Sequence, residues 1–464
     1  MRKYFGTDGI RRIANTELTP ELVYKVAKAG AYVLSKHSDH APTILIGRDT
    51  RLSGTLIESA MTAGFLSYGA NVKLLGVIPT PAVAYLTKKL NADASVVISA
   101  SHNTFEFNGV KFFSNKGMKI PDEIEEEIES IIDSGKIEEL TAENEKIGIS
   151  ENHPEYLYEY ADFIIDLFKD IKVPENFCVA IDTANGATYK VAEYIFKTLG
   201  IKHKILSNMP DGININKDCG STHLENLKKF VVENKMSLGI AYDGDGDRCL
   251  AVDELGNVID GDIILAIVSK YLKKYNKLNK NTIVATIMSN LGLKIYSKDN
   301  NIKFIDTKVG DRYVLEEMLK NGYNLGGEQS GHIIMLDYNP TGDGILTSLM
   351  LIRALTEEYK KTSDARKIIS IYPQVLVNAK VSQERKYDYS EDIEVQKKIE
   401  DIEKEFLNNG RVLIRTSGTE PLVRVMIEGK DIDNITKKAE ELANLIEKNL
   451  NKYILTKEEK KWIM

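Results

Sequence analysis

Three aspartates alternate with two glycines in Asp243-Gly244-Asp245-Gly246-Asp247, with Arg248 directly after them. In an extended strand Asp243 and Asp247 would stand roughly 13 Å apart, too far to share an ion. The glycines let the backbone curl, so that three hard oxygen ligands converge on a cation such as Mg²⁺, which keeps a place for a substrate phosphate. An EF-hand uses similar residues, because Asp243, Asp245, Asp247 and Glu254 fall at its ligand positions 1, 3, 5 and 12. Arg248 stands where that loop needs its sharp-turn glycine, and the flanks read as strands. A plain acidic turn is the third reading, opposed by the repulsion of clustered, unliganded carboxylates.

Four further segments carry chemistry. Val96-Val97-Ile98-Ser99-Ala100-Ser101-His102-Asn103 is a buried-type strand running into a turn of small residues, and it offers Ser101 as a nucleophile or phosphate carrier beside His102. No GxSxG elbow is present, which argues against an α/β-hydrolase. Leu325-Gly326-Gly327-Glu328-Gln329-Ser330-Gly331-His332 exposes Glu328, Ser330 and His332 between glycines, a set suited to sugar hydroxyls. In the segment from Arg411 to Arg424, a strand delivers Arg415 into the hydroxyl and amide loop Thr416-Ser417-Gly418-Thr419, a grip for a phosphate monoester. Near the start, Phe5-Gly6-Thr7-Asp8-Gly9-Ile10-Arg11-Arg12 and Gly47-Arg48-Asp49-Thr50-Arg51 supply Arg11 and Arg48 as positive charge for a phosphoryl site.

The elements that must hold these loops follow from hydrophobic periodicity. Apolar runs of strand length alternate with amphipathic stretches of helical length, which predicts α/β architecture with mostly parallel sheets. Thr19 as N-cap and Pro20 at the first helical position open a helix to about His37. Strands are expected at 43–47, 72–75, 95–99 and 177–182, and helices from Gly261 and from Gly344 to about Tyr359. The acidic stretch 121–152 reads as one solvated helix, and Lys360-Lys361-Thr362-Ser363-Asp364 as a linker. Beyond it come strands, a charged helix from about Ile393 to Asn409, and another after Asp431. The expected division is 1–150 with the serine turn, 151–253 with the aspartate loop, 254–363 with the sugar loop and 364–464 with the phosphate loop.

At 464 residues the chain exceeds what one core supports. Its 43% hydrophobic and 28% charged residues exclude a largely disordered or fibrous chain. A net charge of −7 gives no overall field to draw it to nucleic acid or anionic lipid, so an anionic ligand must be met by local basic groups. There is no long apolar run and no apolar leader after Met1, so a cytoplasmic protein without membrane contact is expected. Cys178, Cys219 and Cys249 are widely spaced and read as buried small hydrophobes, with neither a disulfide framework nor a zinc site.

Taken together, GTDGIR, SASHN, DGDGDR, GEQSGH and RTSGTEP, in that order along nearly the whole chain, resemble the α-D-phosphohexomutase superfamily. GEQSGH at 327–332, RTSGTEPLVRVM at 415–426 and NGVKFFS at 108–114 are similar to the branch that acts on glucosamine phosphates. The resemblance implies three successive similar α/β domains with mixed sheets and a smaller α+β C-terminal domain around a central cleft. It implies interconversion of glucosamine 6-phosphate and glucosamine 1-phosphate through a phosphoserine and a glucosamine 1,6-bisphosphate, on the way to UDP-N-acetylglucosamine and cell wall. Mg²⁺ is the implied cofactor, with glucosamine or glucose 1,6-bisphosphate as activator, and a homodimer the implied assembly. Carried over by position, Ser101, His102, Lys111 and Arg11 would be catalytic, and phosphorylated Ser101 would join Asp243, Asp245 and Asp247 around the metal. Arg248, Lys308, Glu328, Ser330 and His332 would bind the sugar, and Arg415, Ser417, Gly418, Thr419 and Arg424 the non-reacting phosphate. Arg12 and Thr104 stand where the family usually has Gly and Pro, which alters the local turns. A phosphomannomutase/phosphoglucomutase with the same mechanism is the alternative; a silent sugar-phosphate sensor and a metal-dependent phosphatase are more distant ones.

Overall fold

The computed structural model describes residues 3–6, 8–36, 38–407, 409–417 and 420–459, with side chains as far as residue 451. The chain packs as two compact units, residues 1–289 with 296–368, and residues 290–295 with 369–464.

The first unit contains three sheets among the described residues. In the first, Thr43–Arg48 lies between Asn71–Val77 and Ala94–Ile98, parallel to both. Phe107–Ser114 returns antiparallel on Ala94–Ile98, and Ile10–Ile13 antiparallel on that. Every residue of Ala94–Ile98 is buried, as expected of a central strand covered on both faces. The second sheet places Leu238–Tyr242 parallel to Val179–Asp182 and joins it to Cys249–Asp253 as an antiparallel hairpin. The third runs Lys303–Thr307, Thr282–Thr286, Leu325–Gly327, Ile333–Met335, with the last pair antiparallel. Helix Gly344–Glu358 buries most of its residues and packs on strands of both the second and third sheets. The sheets are therefore mixed, each carrying antiparallel return strands beside its parallel pairs.

The helix opened by Thr19 runs Pro20–Ser35, and Thr19 accepts from the Leu22 amide; His37 lies outside the described residues. Three expectations about elements need correction. The stretch 121–152 is not one helix: Asp122–Asp133 ends at Ser134-Gly135, with Gly135 left-handed, and strand Ser150–Asn152 joins the first sheet. The 360–364 segment is not a free linker, since Thr362–Arg366 is helical and Glu254 accepts from the Ser363 amide and from both the Thr362 and Ser363 hydroxyls. The charged helix stops at Phe406, where Leu407 turns left-handed at φ 44°.

The second unit is built on an antiparallel sheet, Gln374–Lys380, Leu422–Gly429 and Gly410–Thr416. The helices Ile393–Phe406 and Ile432–Glu459 cover it, and Val395, Ile402, Val425, Leu442 and Ile446 belong to its core.

Candidate active site

Ser101 lies just beyond the buried end of Ala94–Ile98, 1% exposed and at φ 51°, a left-handed conformation that a residue with a Cβ adopts at a cost. Fixed partners hold it there. Its amide donates to Ser99 Oγ at 2.9 Å, and Ser99 donates to Asp49 at 2.6 Å. Arg51, fully buried, spends all five N–H donors on this turn: Nε on Asp49, and the rest on the carbonyls of Ser101, Asn103, Thr104 and Phe107. Asn216, from the second sheet's side, donates to the same Ser101 and Asn103 carbonyls at 2.8 and 2.9 Å. Thr104, one of the two departures from the family pattern, lends its carbonyl to Arg51, and its side chain hydrogen-bonds Glu106. Arg12, the other, lies in Ile10–Ile13 and donates to the Lys3 carbonyl at 2.7 Å.

The aspartate loop is the turn of the hairpin that pairs Tyr242 with Cys249. Its two glycines do different work. Gly246 has φ +72°, whereas a Cβ on Gly244 would meet the Ser101 carbonyl oxygen at 2.6 Å. The serine turn and the aspartate loop therefore pack backbone to backbone, and Ser101 Oγ donates to Asp243 Oδ2 at 2.7 Å.

One ligand oxygen from each of Asp243, Asp245 and Asp247 lies within 4.8 Å of the others, and all three residues are buried. Burial and the neighbouring Asp247 and Asp245 push the Asp243 carboxyl well above its ordinary range. Burial also works against charge on Asp247, yet His332, Lys111 and Arg248 hold it low. Oδ1 of Asp245 and Oδ1 of Asp247 are buried without a hydrogen-bond partner among the described residues. Crowded, desolvated, unpaired carboxylate oxygens are the donor set of a small divalent cation, so these residues fit Mg²⁺. Glu254 is engaged with Thr362 and Ser363 instead, which removes the twelfth ligand of an EF-hand.

Cations close the site. Lys111, opposite Val97 in the first sheet, is 2% exposed, with Nζ 3.1 Å from Asp245 and 3.2 Å from Asp8. Burial opposes its charge, but Asp245 and Asp8 outweigh that and raise its pKa. Arg11 binds Asp8 at 3.0 Å and Asn103 at 3.2 Å. Burial, with Arg248 and Arg11 nearby, lowers His102 to about 4, so its ring is neutral at pH 7; Nδ1 is 3.4 Å from Ser101 Oγ. Arg48 does not join this group, being paired with Glu58 at 3.2 Å.

The sugar loop, between Leu325–Gly327 and Ile333–Met335, adjoins the aspartate hairpin, where the Cys249 amide donates to the Gly331 carbonyl at 3.0 Å. Burial raises the pKa of Glu328, whose Oε1 accepts from the Gly310 amide at 3.2 Å. His332 Nε2 accepts from the Gly342 amide at 3.1 Å, which leaves the ring proton on Nδ1, 3.5 Å from Asp247. Ser330 Oγ and Arg248 Nε are buried with no hydrogen-bond partner among the described residues, Arg248 Nε standing 3.9 Å from Asp247 Oδ1. Gln329 points elsewhere, to Asp260 at 3.3 Å. Lys308 is exposed, with Nζ 5.7 Å from the Tyr313 ring centre, and none of the described contacts brings it to the cluster.

In the second unit Arg415 and Arg424 face each other across paired strands, and burial together with Arg424 lowers the Arg415 pKa. Arg424 Nε is buried without a partner among the described residues, although Nη2 binds Glu420 at 3.1 Å. Ser417 is buried, its hydroxyl accepting from the Glu420 amide at 3.2 Å and its carbonyl from Lys386 at 2.7 Å. Gly418 and Thr419 lie outside the described residues. Sequence reasoning missed Arg51, Asn216, Asp8, Lys119 and Asp311. Only Arg51 and Asp8 lay inside motifs it had singled out.

Family models for phosphoglucomutase/phosphomannomutase match four successive segments, alpha/beta/alpha domains I, II and III at 2–139, 155–256 and 260–372 and the C-terminal domain at 376–445. A phosphoglucosamine mutase of Acetivibrio thermocellus is 55% identical over 453 residues, covering 97% of this chain and all of that protein. One from Clostridium botulinum strain Kyoto is 54% identical over 450 residues, 96% of this chain and 99% of its own. A Burkholderia thailandensis phosphoglucomutase/phosphomannomutase family protein superposes with TM-score 0.79 at 20% identity, over 95% of this chain and 97% of that one. An Aspergillus fumigatus N-acetylphosphoglucosamine mutase, solved with GlcNAc-6P and magnesium, gives 0.66 at 18% identity, over 97% and 96%. These two share the fold. The chain belongs to the phosphoglucomutase/phosphomannomutase family of the α-D-phosphohexomutase superfamily, within its phosphoglucosamine mutase branch.

Proposed function

We propose that the chain interconverts glucosamine 6-phosphate and glucosamine 1-phosphate by means of a phosphorylated Ser101. The observation that carries this is a serine hydroxyl donating to one member of a buried aspartate trio, whose Asp245 and Asp247 keep oxygens without a hydrogen-bond partner among the described residues. Relatives at 55% and 54% identity over nearly the full length, named for that activity, support it.

Asp243, Asp245 and Asp247 would hold Mg²⁺, which when bound neutralises charge on the oxygens of the transferring phosphoryl group. Phosphoryl transfer asks mainly for alignment and charge stabilisation, and the fixed left-handed turn supplies the first. Lys111, cationic by virtue of its carboxylate neighbours, and Arg11 stabilise the transferring group. The bond from phosphorus to Ser101 Oγ breaks as one to the C1 hydroxyl oxygen of glucosamine 6-phosphate forms, giving the 1,6-bisphosphate. The displaced hydroxyl proton passes to Ser101 Oγ by way of the neutral His102 ring. After the bisphosphate turns end for end, the reverse step takes the 6-phosphoryl group back to Ser101. Arg248, Glu328, Ser330 and His332, with Lys308, would bind the sugar. Arg415, Ser417, Gly418, Thr419 and Arg424 would grip the phosphate that is not reacting, a set that must accept either end. We divide the chain near residues 150, 253 and 363 into four domains bearing these loops in turn; four segments are matched as well, the third of them running on to residue 372. We assign the reaction to the cytoplasm, in keeping with the net charge of −7; no helix among the described residues is long and apolar enough to cross a membrane.

A ³¹P NMR time course tests the substrate. Given Mg²⁺, a trace of hexose 1,6-bisphosphate and equal glucosamine 6-phosphate and glucose 6-phosphate, the glucosamine signal should move to its 1-phosphate faster. Faster conversion of glucose would instead make the chain a phosphoglucomutase.

A further inference from the structure

Carboxylates and cations alternate in a chain that crosses the first unit. Asp245 meets Lys111 at 3.1 Å, Lys111 meets Asp8 at 3.2 Å, Asp8 meets Lys119 at 2.5 Å and Lys119 meets Asp311 at 2.7 Å. One end is the aspartate loop. The other is the first residue of helix Asp311–Asn321, next to Gly310, whose amide donates to Glu328. Lys119 is therefore a cation that joins Asp8, which holds Lys111 at the aspartate loop, to Asp311, which adjoins the Gly310 amide on Glu328.

We infer that Lys119 is a positioning residue of the mutase reaction, setting Lys111 through Asp8 and Glu328 through Asp311 and Gly310; this rests on the function proposed above. Lys119 is only 14% exposed on its side chain, and burial disfavours its charge, yet Asp311 and Asp8 raise its pKa. Its ammonium is gripped by two carboxylates at once, and each of these has a second duty. Asp8 Oδ2 also binds Arg11 and Lys111, while Asp311 opens the helix directly after Gly310, whose amide donates to Glu328. Without the Lys119 charge, Asp8 and Asp311 would face one another across the space of a single ammonium group. Like charges in a low-dielectric site repel strongly, so the two would part. Asp8 would then draw on Lys111 and Arg11 alone, and the movement of Asp311 would carry the Gly310 amide away from Glu328. An ion pair that only fastens the segment at Lys119 to helix Asp311–Asn321 predicts a loss of stability with no pattern in the kinetics.

The test uses the full chain with saturating Mg²⁺ and varied glucosamine 6-phosphate, comparing Lys119→Met, Lys119→Arg and Asp311→Asn with the unmodified protein. Lys119→Met should lower kcat about 30-fold and raise KM several-fold, and Lys119→Arg should recover kcat to within about fivefold by restoring the charge between the two carboxylates. Asp311→Asn keeps the shape of the side chain and acts on the Glu328 branch, so it should raise KM with kcat nearly kept. Lys119→Met within about threefold of the unmodified protein in both constants would overturn the proposal. So would Lys119→Arg as slow as Lys119→Met at equal thermal midpoints. If Lys119→Met does not fold, the KM-against-kcat split of Asp311→Asn decides alone. An unmodified protein that turns over neither glucosamine nor glucose 6-phosphate would contradict the underlying function instead.

Discussion

Ser101, the proposed phosphoryl carrier, is buried against the aspartates and denied freedom. The left-handed backbone at φ 51° costs about 1 kcal/mol or more, and it persists because Arg51, Asn216 and Ser99 over-determine the turn. His102 next to it titrates in a measurable way. Its folded pKa of about 4 lies below that of a free imidazole, so between about pH 6.5 and 4 the unfolded chain binds a proton that the folded chain refuses. This contribution is fully present above that window and is lost as pH falls through it. Discounted for partial solvent contact, it amounts to about 2 kcal/mol. In metal-free buffer, the drop in urea-unfolding free energy from pH 7.5 to 4.5 should be smaller by about that amount in His102→Gln; an unchanged drop would count against a desolvated, neutral ring.

Two hairpin-like returns, each beside a parallel strand, bring the reacting loops together, and this is where sequence and structure part. The strand before Ser101 and the strand before Asp243 were legible because continuous apolar runs ended in small or acidic loops, Ser99-Ala100-Ser101 and Asp243-Gly244-Asp245. That Gly244 is required by the approach of the Ser101 carbonyl, while Gly246 is required by its φ, was not, since it depends on two loops 142 residues apart. Arg51 was not singled out because only Asp49 among its acceptors is local, the four carbonyls being 50 or more residues away; the partners of Lys119 and Asp311 are likewise distant in sequence. The linker reading of 360–364 failed for a related reason, as Glu254 supplies its hydrogen bonds from far away in sequence. Arg51 makes the element-scale test. Lysine keeps the charge beside Asp49 but cannot reach five acceptors, so Arg51→Lys should cost about 2–4 kcal/mol in chemical denaturation and leave Ser101 a poorer acceptor of phosphate. A variant of undiminished stability would show that the turn does not depend on this fork.

At the scale of the molecule, the chain carries net negative charge and still concentrates carboxylates at one point, so the balance depends on cations. Serine turn and aspartate loop come from different sheets of the first unit, and an ion bound by the loop would fasten both. Mg²⁺ should therefore raise the thermal midpoint of the resting protein, by an amount equivalent to about 2.7 kcal/mol at a hundredfold excess over Kd. Asp245→Asn should lose most of that rise, and chelation should abolish turnover. The same midpoint with and without Mg²⁺ would contradict the assignment of the trio as its site. The central claim is the covalent one, and intact-protein mass spectrometry with peptide mapping addresses it directly. After brief exposure to glucose 1,6-bisphosphate and Mg²⁺, the account predicts a single phosphoryl group, mapped to Ser101, discharged on adding glucosamine 6-phosphate, and missing from a folded, inactive Ser101→Ala. A chain that turns over glucosamine phosphate at a near-normal rate with Ser101→Ala, or that carries its phosphoryl group elsewhere, would contradict it.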